Sequence, residues 1–168
     1  MPTTTAARIL TVEDDPIVRA DLRLILEDAG YVVCADARDG IEAIEHTRAH
    51  RPDLVLIDLG LPRLDGVEAT RRIVHEHDVP VVALSGRGSL AAEATAAGAV
   101  RHISKPFSED ELVATVSGVL AERAAEHDRY RVMIESMVRE GRSEQEIVAA
   151  VGGEPARRRR LFRRRKAL

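Results

Sequence analysis

Apolar and polar positions follow two alternating rhythms along the first two thirds of the chain. Five short apolar runs recur: Arg8-Ile-Leu-Thr-Val12, Tyr31-Val-Val-Cys-Ala35, Leu54-Val-Leu-Ile-Asp58, Val79-Pro-Val-Val-Ala-Leu84 and Arg101-His-Ile-Ser-Lys105. All are short and bounded by turn residues, and they read as strands; the first and third are apolar enough to be buried, as in a parallel sheet, while the fifth has Ile103 as its one apolar residue. Between them the spacing turns helical. Ile17, Val18, Leu22, Ile25 and Leu26 recur behind Pro16, and Gly30 stops that segment. Asp39-Gly40 makes a turn, and Ile41 to His50 forms a second helix with Ile41 and Ile44 directed inward, ended by Arg51-Pro52. Val67 to His75 and Leu90 to Ala97 are the third and fourth helices. Ser108 caps a fifth, with Glu111 at the capping-box position and Leu112, Val113, Val116, Val119 and Leu120 along it. Strand and helix alternate five times, which predicts βαβ units and an α/β fold with helices on both faces of a parallel sheet.

Beyond residue 126 the pattern changes. Tyr130, Met133, Ile134, Met137 and Val138 fall on one face of a helix that Gly141 stops. Ser143 and Glu146 form a capping box for a second, short helix from Glu144 to Val151. Gly152-Gly153 turns the chain, and Pro155 opens a third helix from Ala156 to about Ala167. That segment carries Arg157, Arg158, Arg159, Arg160, Arg163, Arg164, Arg165 and Lys166 around Leu161 and Phe162. Helix, Gly-containing turn and basic helix give a helix-turn-helix outline. The basic residues would contact phosphates and make binding steeply salt-dependent. The plain alternative is a solvated basic tail.

Charge supports a division into residues 1–126 and 127–168. The first part holds 13 Lys and Arg against 22 Asp and Glu; the second holds 12 against 6. Such asymmetry fits two modules with different partners. Composition narrows the rest. The chain is 45% hydrophobic but only 2% aromatic, so its core must be Val, Ile, Leu and Ala. Cys34 is the only cysteine, which excludes an intrachain disulfide and Cys-rich metal sites; it reads as a core residue. No apolar run approaches the roughly 18 residues of a membrane span, and the N-terminus lacks the apolar centre of a signal peptide. A cytoplasmic protein without membrane insertion is expected. Gly-x-Gly-x-x-Gly and Gly-Lys-Ser/Thr loops are missing, so the familiar modes of nucleotide binding have no support.

The candidate chemistry sits where strands end. Asp58 closes the most apolar run, and open α/β sheets hold ligands at that edge. Glu13 and Asp14 would join it if the first and third strands are neighbours. Packed carboxylates raise one another's pKa unless a cation lies among them, and hard oxygen ligands suit Mg²⁺. Ser85 adds a hydroxyl and Lys105 a point cation. Together they make a complete site for an aspartyl phosphate, with Asp58 as nucleophile. Other groups have plainer readings. His75 and His77 are two apart and do not share a helix face, so the stretch to Asp78 is a solvated helix end. His102 is a partly buried side chain, and Asp65-Gly66 is a turn without chemistry.

These residues carry a resemblance. Val12-Glu-Asp-Asp-Pro16, Leu54 to Gly66, Pro80-Val-Val-Ala-Leu-Ser85, Ala97-Gly-Ala99 and Lys105-Pro-Phe107 recur in the order and spacing of bacterial two-component response regulator receiver domains. The resemblance covers residues 8 to about 122 and implies a flavodoxin-like five-stranded parallel sheet. It implies that Asp58 takes a phosphoryl group from a sensor histidine kinase. Asp14 would be the main metal ligand, Glu13 would act through water, and the Gly60 carbonyl would complete the protein ligands for Mg²⁺. Ser85 would move to the phosphate, and Lys105, before a cis bond to Pro106, would pair with it. His102 stands where the family usually has Tyr or Phe as a rotamer switch, a departure that weakens an aromatic-burial switch. Gly60 and Arg87 occupy positions that tune phosphate lifetime in the family. The expected output is DNA binding by residues 127–168, with a homodimer through the fourth-helix, fifth-strand and fifth-helix face. The alternatives are docking on a protein partner and RNA binding by the Arg-rich segment. No independent enzymatic activity is expected beyond gaining and losing the phosphate.

Overall fold

The computed structural model describes residues 6–86 and 89–151. Five strands and six helices follow in the order β1 (Arg8–Val12), α1 (Pro16–Asp28), β2 (Val32–Ala37), α2 (Gly40–His50), β3 (Leu54–Asp58), α3 (Gly66–Glu76), β4 (Val81–Ser85), α4 (Ser89–Ala97), β5 (Arg101–Ser104), α5 (Glu109–Arg139) and α6 (Glu144–Ala150). The strands form one parallel sheet in the order β2-β1-β3-β4-β5. This is the flavodoxin-like α/β fold, with the strand order reversing beside β1. The chain divides into two compact units, residues 1–120 and 121–168.

The unbroken apolar runs are explained by two cores, one on each face of the sheet. Ile9, Leu54, Leu56, Val82 and Leu84 pack with Leu22 and Leu26 of α1 and Leu112, Val116 and Val119 of α5. The alternate residues Leu10, Val12, Val55, Ile57 and Val81 pack with Ala43 of α2 and with Ala69 and Ile73 of α3. Because side chains alternate across a strand, a strand covered on both faces needs apolar residues at every position. Around α4 the packing is small-residue: Ala83, Ala94, Ala97 and Ala99 meet Leu59 and Val67.

Helix starts follow local side-chain chemistry. Asp15, Asp39 and Asp65 cap α1, α2 and α3 by accepting backbone N–H groups of the first turn. Pro16 sits in the first turn of α1. Three expectations need correction. Ile17 and Ile41 lie exposed, at 79% and 39%, on the outer side of their helices, whereas Val18 at the start of α1 packs against the core and Ala43 at the start of α2 is buried. The amphipathic segment around Tyr130–Val138 is not a separate helix but the end of α5, since nothing between residues 122 and 129 breaks the helix. The fourth strand starts at Val81 rather than Val79.

In the second unit, Gly141 ends α5 in a left-handed conformation (φ +74°), with Arg142 N–H donating to the Met137 carbonyl. Ser143 and Glu146 then close the expected capping box of α6. The third helix and the basic residues Arg157–Arg160, Arg163–Arg165 and Lys166 lie outside the described residues, as does Arg87. Among the described residues no helix is long and apolar enough to cross a membrane.

Candidate functional site at the strand ends

Four adjacent parallel strands bring their C-terminal ends to one edge. Val12 pairs with Ile57, Asp58 with Leu84, and Ser85 with Ser104. The ladder continues one residue further, where each chain leaves its strand. Glu13 N–H donates to the Ala37 carbonyl at 3.0 Å, Leu59 N–H to Leu84 at 2.9 Å and Lys105 N–H to Ser85 at 2.9 Å. Backbone bonds therefore fix the starting points of the loops that carry the polar side chains.

The side chains converge. Lys105 Nζ lies 2.8 Å from Glu13 Oε2 and 3.0 Å from Asp58 Oδ1. Asp58 Oδ2 accepts the Gly60 N–H at 3.1 Å, and Glu13 Oε1 accepts the Asp15 N–H at 3.2 Å. Glu13, Asp58 and Ser85 are buried, while Asp14 is exposed at the rim. Burial pushes the Glu13 carboxyl up, and the Lys105 hydrogen bond holds part of that rise back. Burial pulls the Lys105 ammonium down, but its hydrogen bonds to Glu13 and Asp58 outweigh this and leave it raised. The lysine is thus held as a cation between two carboxylates.

Glu13, Asp14 and Asp58 each offer a carboxylate oxygen, and these atoms lie within 4.8 Å of one another. An all-oxygen set with one exposed member fits a hard divalent cation that keeps several of its waters, as Mg²⁺ does. The peptide bond from Lys105 to Pro106 is cis. His102 on β5 is half-buried, and its Nε2 has no hydrogen-bond partner.

Two supporting contacts have no signal in sequence spacing, and one close approach has only a faint one. Arg19 of α1 donates to the carbonyls of Glu13 and Asp14 at 2.6 and 3.3 Å, so it steadies the acidic loop without neutralising its carboxylates. Arg63 pairs with Asp39 at 2.9 Å. Gly66, expected only as a turn residue, passes so close to the acid that a Cβ there would lie 2.2 Å from the Asp58 carbonyl oxygen. The recurrence of Asp-Gly after Pro62 was the available hint for that position.

Residues 9–117 match the family model described as the response regulator receiver domain. The chain is 37% identical over 111 residues to the transcriptional regulatory protein PdtaR of Mycobacterium tuberculosis, a match covering 65% of this chain and 54% of that protein. It is 44% identical over 117 residues to the transcriptional regulatory protein CseB of Streptomyces coelicolor, covering 67% and 48%. The matches therefore span about half of those relatives. Among solved structures, a LuxR-family two-component response regulator from Aurantimonas sp. SI85-9A1 superposes with a TM-score of 0.65 at 37% identity, covering 70% of this chain and 87% of that one.

Proposed function

The chain belongs to the response regulator receiver domain family, and on that premise we propose that it is a cytoplasmic response regulator whose Asp58 accepts a phosphoryl group from a sensor histidine kinase. The observation that carries the proposal is the setting of Asp58. Its carboxylate ends a buried strand, lies 3.0 Å from a lysine cation and belongs to a three-carboxylate cluster. In the transfer, an Asp58 oxygen bonds to phosphorus as the phosphorus–nitrogen bond to the kinase's histidine breaks, and the electron pair returns to the imidazole. Lys105 stabilises the charge spread over the transferring oxygens, and Ser85 supplies a hydroxyl to the acyl phosphate formed. Glu13, Asp14, Asp58 and the Gly60 carbonyl would hold Mg²⁺, which supplies charge neutralisation at the phosphoryl oxygens. The chemistry proposed is limited to gaining and losing this phosphoryl group.

Residues 1–126 are proposed as the receiver and residues 127–168 as its output, with His102 and Ser85 on the path between them. Phosphorylation exchanges the Asp58 carboxylate charge for a phosphoryl group of about −2 and adds acceptor oxygens, and the new contacts, made in one state only, shift the α4–β5–α5 face. We read the output as DNA binding by a homodimer. Its support is the eight basic residues of the C-terminal segment, the capped helix before them, and the names of the relatives as transcriptional regulators.

The test is labelling by a small acyl phosphodonor with Mg²⁺, followed by duplex DNA binding across a salt series with and without beryllium fluoride. Asp58→Asn should remain folded and take no label; undiminished labelling would overturn the assignment. DNA affinity should respond to the fluoride complex and fall with salt, each phosphate contact adding about −0.9 to the log–log slope. Binding indifferent to the mimic and to duplex sequence would move the output to another partner.

A further inference from the structure

The loop from Asp58 to α3 is fixed at both ends, and its far anchor is an ion pair across to a different helix. At the near end, Leu59 N–H donates to the Leu84 carbonyl and Gly66 N–H donates back to Leu59. At the far end, Arg63 Nη1 lies 2.9 Å from Asp39 Oδ2, and Gly40 N–H donates to the Leu64 carbonyl at 3.1 Å. Asp39 is 4% exposed. Its other oxygen is already committed to capping α2, accepting Ile41 and Glu42 N–H at 2.9 and 3.0 Å. The Asp39 side chain is 5% exposed and that of Arg63 62%, so its second oxygen is sheltered by the protein and met by a guanidinium reaching in from the surface.

Arg63 accepts a local cost to reach it. Its φ is +64°, in the left-handed region where a side chain is disfavoured. Gly40 makes the close approach possible, because a Cβ there would meet the Leu64 carbonyl oxygen at 2.5 Å. Between the two anchors stand Gly60, Leu61 and Pro62, with Leu61 buried in the core beneath α2 and α3. The position of the Gly60 backbone, whose N–H already holds Asp58 Oδ2, is therefore set from one side by the sheet and from the other by Asp39.

We infer that Asp39 and Arg63 form a latch that positions the Asp58–Gly60 segment for binding a divalent cation and receiving a phosphoryl group. The inference rests on the reading of Asp58 as the phosphoacceptor. Neither residue touches the reacting atoms or bonds to Glu13, Asp14 or Asp58; both act through the loop backbone.

The test uses the full chain and four variants: Asp39→Asn, Arg63→Ala, the double variant and Arg63→Lys. Asparagine keeps an oxygen for the α2 cap but loses the charge. Calorimetric titration with MgCl₂ gives the cation affinity, and labelling by a small acyl phosphodonor at sub-saturating Mg²⁺ gives the transfer rate. Thermal unfolding reports whether each variant is folded. Asp39→Asn and Arg63→Ala should each weaken Mg²⁺ about 10-fold. The double variant should lose no more than either single one, and Arg63→Lys should keep most of the affinity. Mg²⁺ affinity and labelling equal to the parent in the folded single variants would overturn the latch, as would losses that add in the double variant. A parent chain that neither binds Mg²⁺ nor labels would overturn the phosphoacceptor reading and the latch with it.

Discussion

Replacing Lys105 by Met removes the cation shared by the two inner carboxylates while keeping the length and apolar stem of the side chain. In the parent, Nζ lies 2.8 Å from Glu13 and 3.0 Å from Asp58, whose side chains are 3% and 11% exposed. Removing one partner of a buried ion pair costs about 3–5 kcal/mol, because the other charge is left without compensation. Two features reduce that figure here. Lys105 is itself 27% exposed, so solvent already screens part of the interaction. Glu13, whose carboxyl burial already pushes up, can relieve the strain by taking a proton. The expected loss is about 2 kcal/mol at neutral pH.

Urea unfolding of the full chain, followed by far-UV circular dichroism with EDTA, measures this. With a urea dependence of about 1.5 kcal/mol/M, the midpoint should fall by about 1.3 M. Saturating Mg²⁺ should stabilise the variant more than the parent, since a cation among Glu13, Asp14 and Asp58 replaces the lost ammonium charge. A variant as stable as the parent in EDTA would refute the energetic argument. A loss that Mg²⁺ leaves untouched would refute the assignment of these acids to a cation.

Other substitutions probe the supports. Gly66→Ala puts a Cβ 2.2 Å from the Asp58 carbonyl oxygen and 2.6 Å from Leu59 Cα, both backbone atoms; it should destabilise by about 3 kcal/mol in the same unfolding assay. Burial holds the His77 imidazole below its ordinary value of 6.5, and its Nε2 has no hydrogen-bond partner. Its stabilising contribution is complete above that value and is lost as pH falls through the depressed one, so His77→Gln should flatten the decline in unfolding midpoint as pH falls below about 6.5. Ser143→Ala breaks the capping box with Glu146; it should cost about 1 kcal/mol of helix stability, seen as faster amide exchange confined to α6.

Much of the fold is legible in the residues because the signals are local. Leu54 to Ile57 is apolar at every position since both faces of the strand are covered, and Leu56 and Ile57 do enter opposite cores. The acids and Lys105 are legible for a related reason: each follows an apolar run, and a parallel sheet brings all such ends to one edge. Other features depend on contacts between segments far apart in the chain, and spacing carries no trace of them. Arg19, Arg63 and Asp39 look like ordinary surface charges in sequence; only the topology sets Arg63 against the α2 cap. Ile17 and Ile41 fit a helical stripe by spacing but lie off the buried face, which runs through Val18, Leu22 and Leu26 in α1 and through Ala43 in α2. The length of α5 escaped for the opposite reason. A change of composition near residue 126 suggested a boundary, yet Ala, Glu, His, Asp and Arg there contain no helix breaker.

On the proposed function, the site's charge arrangement would link the cation to the phosphoryl group. With neither bound, Lys105 divides its hydrogen bonds between Glu13 and Asp58. Phosphorylating Asp58, as proposed, would convert its carboxylate to an acyl phosphate and so replace that charge with a phosphoryl group of about −2, projecting from the sheet edge. Lys105 cannot compensate both the new charge and buried Glu13. A divalent cation among the acids resolves the conflict, because it compensates Glu13 and frees the ammonium to follow the phosphoryl oxygens. The cation and the phosphoryl group should therefore stabilise one another, each binding more tightly when the other is present, as reciprocal linkage requires. That coupling is carried by one side chain with two claims on it, so Lys105→Met should abolish the mutual enhancement while still permitting Mg²⁺ to bind. A variant in which beryllium fluoride and Mg²⁺ still strengthen each other as in the parent would show that the coupling runs through the cation's own contacts and not through the lysine.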